Sequence, residues 1–475
     1  MATYFPFLGD NSNDVSGAYY PQDFSLNALN FVTVAQQKFD LKKLVSEFCY
    51  YEDIYSFVTS GYLTIIDAQG FVELLQLTGN EYLEMDFGKV KGAPDGLNLV
   101  KTFKIYKLAH RTPSGNMNTE FYTLYFCSEE LLLSEQTKVT SSYTGSKISD
   151  NIQNILTEKL RVTSDKIETI EETTGIIDLV APRFKPFEAI SWLSNYARPQ
   201  STGTVGADML FFETKNGFNF RSLQSMYKDD VYATYKYQAK NIDDKEQSFQ
   251  EKATTVIEYE IVKSFDMMNE ISSGSMANRL ITIDPLTRTQ RVTDFNYSKY
   301  RNESTSLNPG GATTQLNNRF GNVQDQSYES VVKLAVGNAN QNKVEYIKEN
   351  GQDGVSKDVF IENYIPNRTA QIALANYTVL KIVIPGDTAI TVGRTIELNL
   401  YTLKPTSKSK ELDKFYSGKY LVSAIRHAVV MPHSFQTILE ITKDSTPTSY
   451  VERDSDTAEG NEYSGFTNYL NDLVG

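Results

Sequence analysis

The chain has 475 residues, 59 acidic against 46 basic, for a net charge of −13. That balance argues against recognition of nucleic acid through its phosphates, which needs clustered Lys and Arg, and no stretch approaches the roughly 20 apolar residues of a membrane span. Its 30 tyrosines and 26 phenylalanines suit pleated sheet surfaces and also the protein–protein contacts in which tyrosine is enriched. A chain this long implies about three domains.

Residues 1–34, rich in Asn, Ser, Gly and Tyr, carry Tyr4, Phe5, Phe7, Tyr19 and Tyr20 without a sustained period. They read as an N-terminal arm lying along its own or a neighbouring subunit, because so many aromatics are costly to leave in water. The opening MATYFPFLGDNSND has no basic region ahead of an apolar core, so no signal peptide is read. Residues 35–135 form a compact unit with strands over Leu44–Tyr51, Phe57–Asp67, Tyr82–Gly88, Val100–Leu108 and Thr119–Cys127. Pro94-Asp95-Gly96 and Pro113-Ser114-Gly115-Asn116 mark turns between them, the pattern of a small barrel or sandwich. Val58–Ile66 carries apolar residues on both faces, so it is buried twice or forms a wall with a core on one side and a partner on the other. A short helix over Ala68–Leu75 puts Phe71, Leu74 and Leu75 at core spacing, and a second, Glu129–Ser134, leads out.

From 136 to 225 the period becomes helical. Ile148, Ile152, Ile155, Leu156 and Leu160 recur on one face behind Ser146 as a cap, and a second helix begins near Pro186 and stops before Pro199. Lys215-Asn216-Gly217 is a tight-hairpin signal between Met209–Thr214 and Phe218–Phe220. This is a peripheral α+β module. Strands return at Tyr232–Tyr237 and Val256–Lys263, on either side of a polar stretch at 241–252. The polar passage 275–365, with Asn308-Pro309-Gly310-Gly311, reads as an excursion from a domain that resumes later.

After a helix from Pro366, strands over Val379–Ile384, Thr395–Leu400, Lys419–Val430 and Ser434–Lys443 make a second, split barrel-like unit from 226–274 and 366–445. Ile396, Leu398 and Leu400 face inward, and Thr395, Glu397 and Asn399 outward. The class is mainly β with α+β insertions. Residues 446–475 open with an acidic run and end in an amphipathic stretch, Phe466, Tyr469, Leu470 and Leu473. They read as either a partner-docking tip or a frayed terminus.

Few residues converge on chemistry. His110, His427 and His433 lack the i, i+4 spacing of a zinc pair and are expected at the surface or at strand ends. Cys49 and Cys127, both in apolar runs, are expected as buried free thiols, with a disulfide between paired strands as the alternative. Glu81 and Glu84 read as the solvated face of a strand. With no Walker loop, G-x-S-x-G elbow or C-x-x-C, no catalytic residue, cofactor or metal is expected. A cell-wall hydrolase needing only two placed carboxylates remains as a rival.

Three runs, taken in order, resemble the baseplate hub proteins of contractile-tailed phages. They are Gly61-Tyr62-Leu63-Thr64-Ile65-Ile66-Asp67 with Leu77-Thr78-Gly79-Asn80-Glu81-Tyr82-Leu83; Ser264-Phe265-Asp266 with Asn278-Arg279-Leu280-Ile281-Thr282-Ile283-Asp284-Pro285; and Ile384-Pro385-Gly386-Asp387 with Tyr416-Ser417-Gly418-Lys419-Tyr420-Leu421-Val422 and Ile425-Arg426-His427. The resemblance spans most of residues 40–445. It implies two similar antiparallel β-barrel tube domains per chain and a non-enzymatic homotrimer whose pseudo-hexameric ring joins a hexameric tail tube to a trimeric central spike.

By the same resemblance the chain is a virion component of the tail baseplate, assembled in the host cytoplasm. Its partners would be tail tube protein, spike protein and baseplate wedge or tape-measure proteins, and DNA would meet it only in transit through an acidic bore. The nearest alternative is the hub or spike of a related contractile injection or secretion system. The arm before residue 35 and the tail after 445 depart from the family pattern. The tail tip is expected to grip the spike or a neighbouring subunit.

Overall fold

The computed structural model describes residues 24–445 apart from 76, 89–97, 114–118, 176, 201–207, 238–248, 285–287, 297–305, 309–316, 319–320, 323–331, 337–345, 348–354, 357–363, 402–411 and 432–433. Alternating apolar residues build β1 (Ser25–Val32), β2 (Lys38–Asp40), β3 (Val45–Asp53), β4 (Ser60–Asp67), β5 (Tyr82–Gly88), β6 (Leu99–Pro113) and β7 (Glu120–Cys127). These run antiparallel in the spatial order β3-β4-β7-β6-β5-β1-β2. Their inward side chains, Phe48, Leu63, Phe87, Phe103 and Leu124 among them, close on a first apolar core.

Residues 25–32, read from the sequence as arm, pair with β5 along their whole length and bury Leu29 and Phe31 in this core. A register shift between Leu26 and Ala28 breaks the period-two signal there. In β4, Leu63 and Ile65 face the core while Tyr62 and Ile66 lie on the half-open outer side, so the strand is a wall with one core rather than a doubly buried strand. The helix at Phe71–Leu75 is barely more than one turn. Phe71 packs edge-on against Phe31 at 5.2 Å, whereas Leu74, expected in the core, is 75% exposed.

Gly61 in β4 permits close approach: a Cβ there would lie 2.2 Å from the Cys49 carbonyl oxygen and 2.3 Å from the Phe126 ring. Gly61→Ala is therefore expected to destabilise by about 1–3 kcal/mol through overpacking. A lowered urea midpoint would show this, and an unchanged one would refute it.

The module that follows contains β8 (Ser142–Ser146), β9 (Ile167–Ile170), β10 (Ile177–Val180), β11 (Met209–Glu213) and β12 (Phe218–Ser222). Two helical segments, Ile148–Lys159 and Pro186–Ser194, pack on the β11-β12-β9 sheet around Ile152, Leu156, Ile190, Phe211 and Phe218. The first turns from α to π at Ile155, and its N-cap position falls on Lys147 rather than Ser146.

The remaining strands are β13 (Val231–Tyr237), β14 (Thr255–Val256), β15 (Glu258–Lys263), β16 (Ala277–Asp284), β17 (Thr289–Asn296), β18 (Asn317–Asn318), β19 (Gly321–Asn322), β20 (Val332–Val336), β21 (Tyr346–Ile347), β22 (Val355–Ser356), β23 (Thr378–Pro385), β24 (Thr395–Asn399), β25 (Gly418–Val430) and β26 (Ser434–Lys443). Pairing runs β13-β24-β25-β26-β23-β15 around a second core of Tyr235, Leu380, Ile396, Leu398, Leu421 and Leu439. The bent segment Thr255–Lys263 bridges the two ends of that run, with Thr255 and Val256 on β13 and Glu258–Lys263 on β23.

The two units anticipated from the sequence do not stand apart. β25 also pairs with β3 from Ala424 to Val430, so fourteen strands form one continuous curled sheet. The long β25–β26 hairpin serves both cores: Leu421, Ile425, Leu439 and Ile441 pack in the second, Val429 and Phe435 in the first. Thr395, read as outward, is fully buried, and its hydroxyl reaches the carbonyls of Asp229 and Asp230. The polar passage is more regular than its composition suggests. It opens with the β16–β17 hairpin, with β20 alongside β16, packed through Met276 and Phe295 onto the helix Ile365–Ala375.

Candidate functional site

Between the two apolar cores the interior turns polar. The rings of Tyr50 (β3) and His427 (β25) stack at 5.9 Å, and His427 Nδ1 lies 3.0 Å from Thr437 Oγ1. That hydroxyl accepts the Asp387 N–H at 2.9 Å, and the Asp387 carboxylate accepts the Tyr232 hydroxyl at 2.9 Å. Glu52, two residues after Tyr50, accepts hydrogen bonds from the Tyr50 hydroxyl (2.9 Å), the Lys215 N–H (2.6 Å) and the Val392 N–H (3.2 Å).

Lys215 sits in the tight turn between β11 and β12, so the peripheral module inserts its hairpin tip between the two cores. The turn depends on Gly217, whose φ of 149° and approach to the Lys166 carbonyl leave no room for a side chain. Beside it, Glu213 is the most heavily shared acceptor. It takes the Thr59 N–H (2.8 Å), the Ser128 hydroxyl (2.6 Å) and the Lys101 ammonium (2.6 Å).

Burial sets the titration of this layer. It pushes the Glu52 carboxyl up to about 7, outweighing its hydrogen bonds, and with the Lys215 charge it drives His427 down to about 3. Lys215 itself is held below the usual lysine range by burial. His427, expected at a strand end or surface, is thus a neutral core residue in mid-strand. Nothing in its local sequence marks this, because burial here comes from β3 and the module packing over it.

Two clefts flank the hairpin. One of about 440 Å³ is bordered by Glu168, Arg221, Asp229 and Arg394, and one of about 690 Å³ by Glu84, Lys101, Lys166 and Glu213. Their charged groups are largely engaged with one another. Arg221 clasps Asp229 through two bonds of 2.9 and 3.0 Å, and Glu168 accepts from Thr214 and Asn219 at 2.7 Å each. Such an arrangement fixes the register of three structural units. Among the described residues no group of three or more His, Cys, Asp or Glu is placed to hold a metal ion.

The outer face of the sheet over the first core carries a ladder of tyrosines. Tyr51, Tyr62, Tyr125 and Tyr106, on β3, β4, β7 and β6, follow one another at 6.3, 6.1 and 6.4 Å between ring centroids. Arg426 lies over Tyr51 at one end, and Lys107 lies over Tyr125, next to the other end. The tyrosine excess of the composition is partly accounted for here, on a half-open surface.

No family model matches the chain, and no curated protein does. Solved structures similar to it are the tail protein from Neisseria meningitidis MC58 (10% identity, TM-score 0.49, 90% of this chain and 100% of that one) and the 43 kDa tail protein of prophage MuSo2 from Shewanella oneidensis (8%, 0.48, 88% and 98%). A third is the E. coli c3393 protein, a component of the type VI secretion system (9%, 0.40, 90% and 78%). The first two are tail proteins and the third is a secretion-system component.

The other residues singled out from the sequence are dispersed. His110 lies exposed on β6 with a φ of 56°, and His433 lies outside the described residues. Cys49 and Cys127 are buried free thiols, as expected, and the Arg426 guanidinium donates to Cys49 Sγ at 3.3 Å. Glu84 is half-buried and pairs with Lys38 at 2.7 Å. Glu81 corrects the reading of a solvated face: it is buried, and hydrogen bonds from Thr78 and Gly79 hold its carboxyl below the usual range despite the opposing effect of burial. Phe466, Tyr469, Leu470 and Leu473 lie outside the described residues. The polar layer at Glu52, Glu213 and His427 was missed in sequence; a glutamate flanked by strand aromatics, as in Cys49-Tyr50-Tyr51-Glu52, was the only hint.

Proposed function

We propose that this protein is a structural hub of a contractile phage tail, a non-enzymatic homotrimer joining the tail tube to the central spike. The observation that carries the reading is that one chain builds two apolar cores on one continuous sheet, so a trimer offers six similar lobes to a hexameric tube. On this reading residues 35–135, joined by β1, form one tube domain and 226–274 with 366–445 the other, locked to each other by the hairpin of the peripheral module. Use of the buried carboxylates as hydrogen-bond acceptors between units, rather than as a facing acid–base pair, also supports a structural role. The acidic composition suits a bore through which DNA passes without sticking.

The experiment is the mass of the purified particle by light scattering. Three times the 53.6 kDa chain mass is expected; a monomer at micromolar concentration would sink the reading. A related contractile secretion system would give the same mass and is separated by its neighbouring genes.

A further inference from the structure

The hairpin tip between the two cores carries a chemically reactive pair. Asn216-Gly217 is one of two Asn-Gly pairs in the chain, the other being Asn350-Gly351, outside the described residues. An asparagine before glycine cyclises readily, because no side chain on the second residue shields its backbone nitrogen from the Asn carboxamide. The docked hairpin opposes that step. The Gly217 nitrogen donates to the Thr214 carbonyl at 3.3 Å, and the Asn216 carboxamide is held by Glu168, donating through Nδ2 to Oε1 at 3.1 Å. Asn216 is nonetheless exposed to water, while Gly217 is buried against the Lys166 carbonyl.

The surroundings decide what loss of the amide would do. Glu168, on β9, accepts from Asn216 and also from the Thr214 hydroxyl and Asn219 Nδ2, the last two at 2.7 Å each. A carboxylate at 216 would present acceptors where Glu168 needs a donor, and would set two like charges at hydrogen-bond distance. Lys101 and Lys166, which border the same cleft, are committed to Glu213 and Glu130, and burial disfavours the Lys215 charge. One residue away is the Lys215 N–H that Glu52 accepts, the contact that ties the tip to β3.

We infer that Asn216 is a self-modifying site that works as a one-way latch on the docked hairpin. When the tip lifts, the Gly217 nitrogen gives up its proton and bonds to Asn216 Cγ, and ammonia leaves. The succinimide takes up water and opens to aspartate or isoaspartate, so one water enters for each ammonia lost. The new carboxylate then faces Glu168 and disfavours return of the tip. The inference concerns the hairpin alone and does not depend on the hub reading.

The test incubates the full-length chain in mildly alkaline buffer and reads Asn216 separately from Asn350 by peptide mapping and mass spectrometry. Conversion at Asn216 should be at least about tenfold slower in native buffer than in denaturing urea. Equal rates, or no conversion in urea, would overturn the inference. Across sub-denaturing urea the conversion should follow amide hydrogen exchange of β11 and β12 and run ahead of that of β3 and β4; following β3 and β4 would show that only global unfolding exposes the site, and no latch exists. Asn216→Asp should fall below Asn216→Ala in urea midpoint, since both lose the donor and only the aspartate adds charge. Equal midpoints would overturn the role given to Glu168.

Discussion

Replacing Glu213 by alanine is expected to cost about 3–5 kcal/mol, the value for breaking a buried charged pair from one side. Its carboxylate is almost fully enclosed, and Lys101, whose side chain is 15% exposed, would be left as a largely buried cation with the acceptor at 2.6 Å gone. The Thr59 N–H and the Ser128 hydroxyl lose their acceptor at the same time, and each unsatisfied buried donor costs about 1–3 kcal/mol. Because Thr59 and Ser128 adjoin the ends of β4 and β7, which wall the first core, and Glu213 belongs to the peripheral module, the loss should fall between units. Chemical denaturation should show the module unfolding ahead of the sheet, as two transitions instead of one. The double replacement of Glu213 and Lys101 by alanine and methionine should recover the part of the loss that comes from the stranded Lys101 charge, leaving the cost of the Thr59 and Ser128 donors; no recovery at all would mean that the charged pair is not a cause.

The second large effect is in acid. His427 titrates near 3 in the folded chain and near its ordinary 6.5 when unfolded. Between those values the unfolded chain holds a proton that the folded one refuses, so stability is lost as pH falls from 6.5 towards 3, by a few kcal/mol in all at about 1.4 kcal/mol per pH unit. Glu52 acts in the opposite sense. Its folded pKa, about 7 against 4.5, makes its contribution full below 4.5 and lost as pH rises through 7. Asp208, pushed up to about 6 from 3.8 by burial, acts likewise over a lower window.

His427→Phe should therefore remove the histidine's share of the acid loss. The replacement ring keeps its place among Tyr50, Phe87 and Phe435. Urea midpoints at pH 7 and pH 4 are the measurement. The variant should resemble the parent at pH 7 and exceed it at pH 4, and an equal decline in both proteins would refute the assignment.

Much of the strand layout was legible because one face of each strand is buried and the other is not. Tyr82–Gly88 and Ser434–Lys443 were bounded as observed, since their burial alternates over most of each strand. β1 was not, because its bulge interrupts the alternation, and β17 was hidden by the polar residues of a mostly exposed strand. Leu74 was misplaced because a helix of one turn has no reason to honour core spacing beyond Phe71.

The sequence by itself determined the local elements and the hydrophobic sides of the strands, for these follow from side-chain periodicity along a short stretch of backbone. It also determined the turn at Lys215-Asn216-Gly217, where the need for positive φ is written in the glycine. Only the tertiary structure decided that the two sheet units fuse through β25 and β3, and that Glu52, Glu213 and His427 are buried between them. Those residues come from strands hundreds of positions apart, and the low dielectric that sets their charge belongs to no segment alone; it exists only once the hairpin tip has closed over the gap.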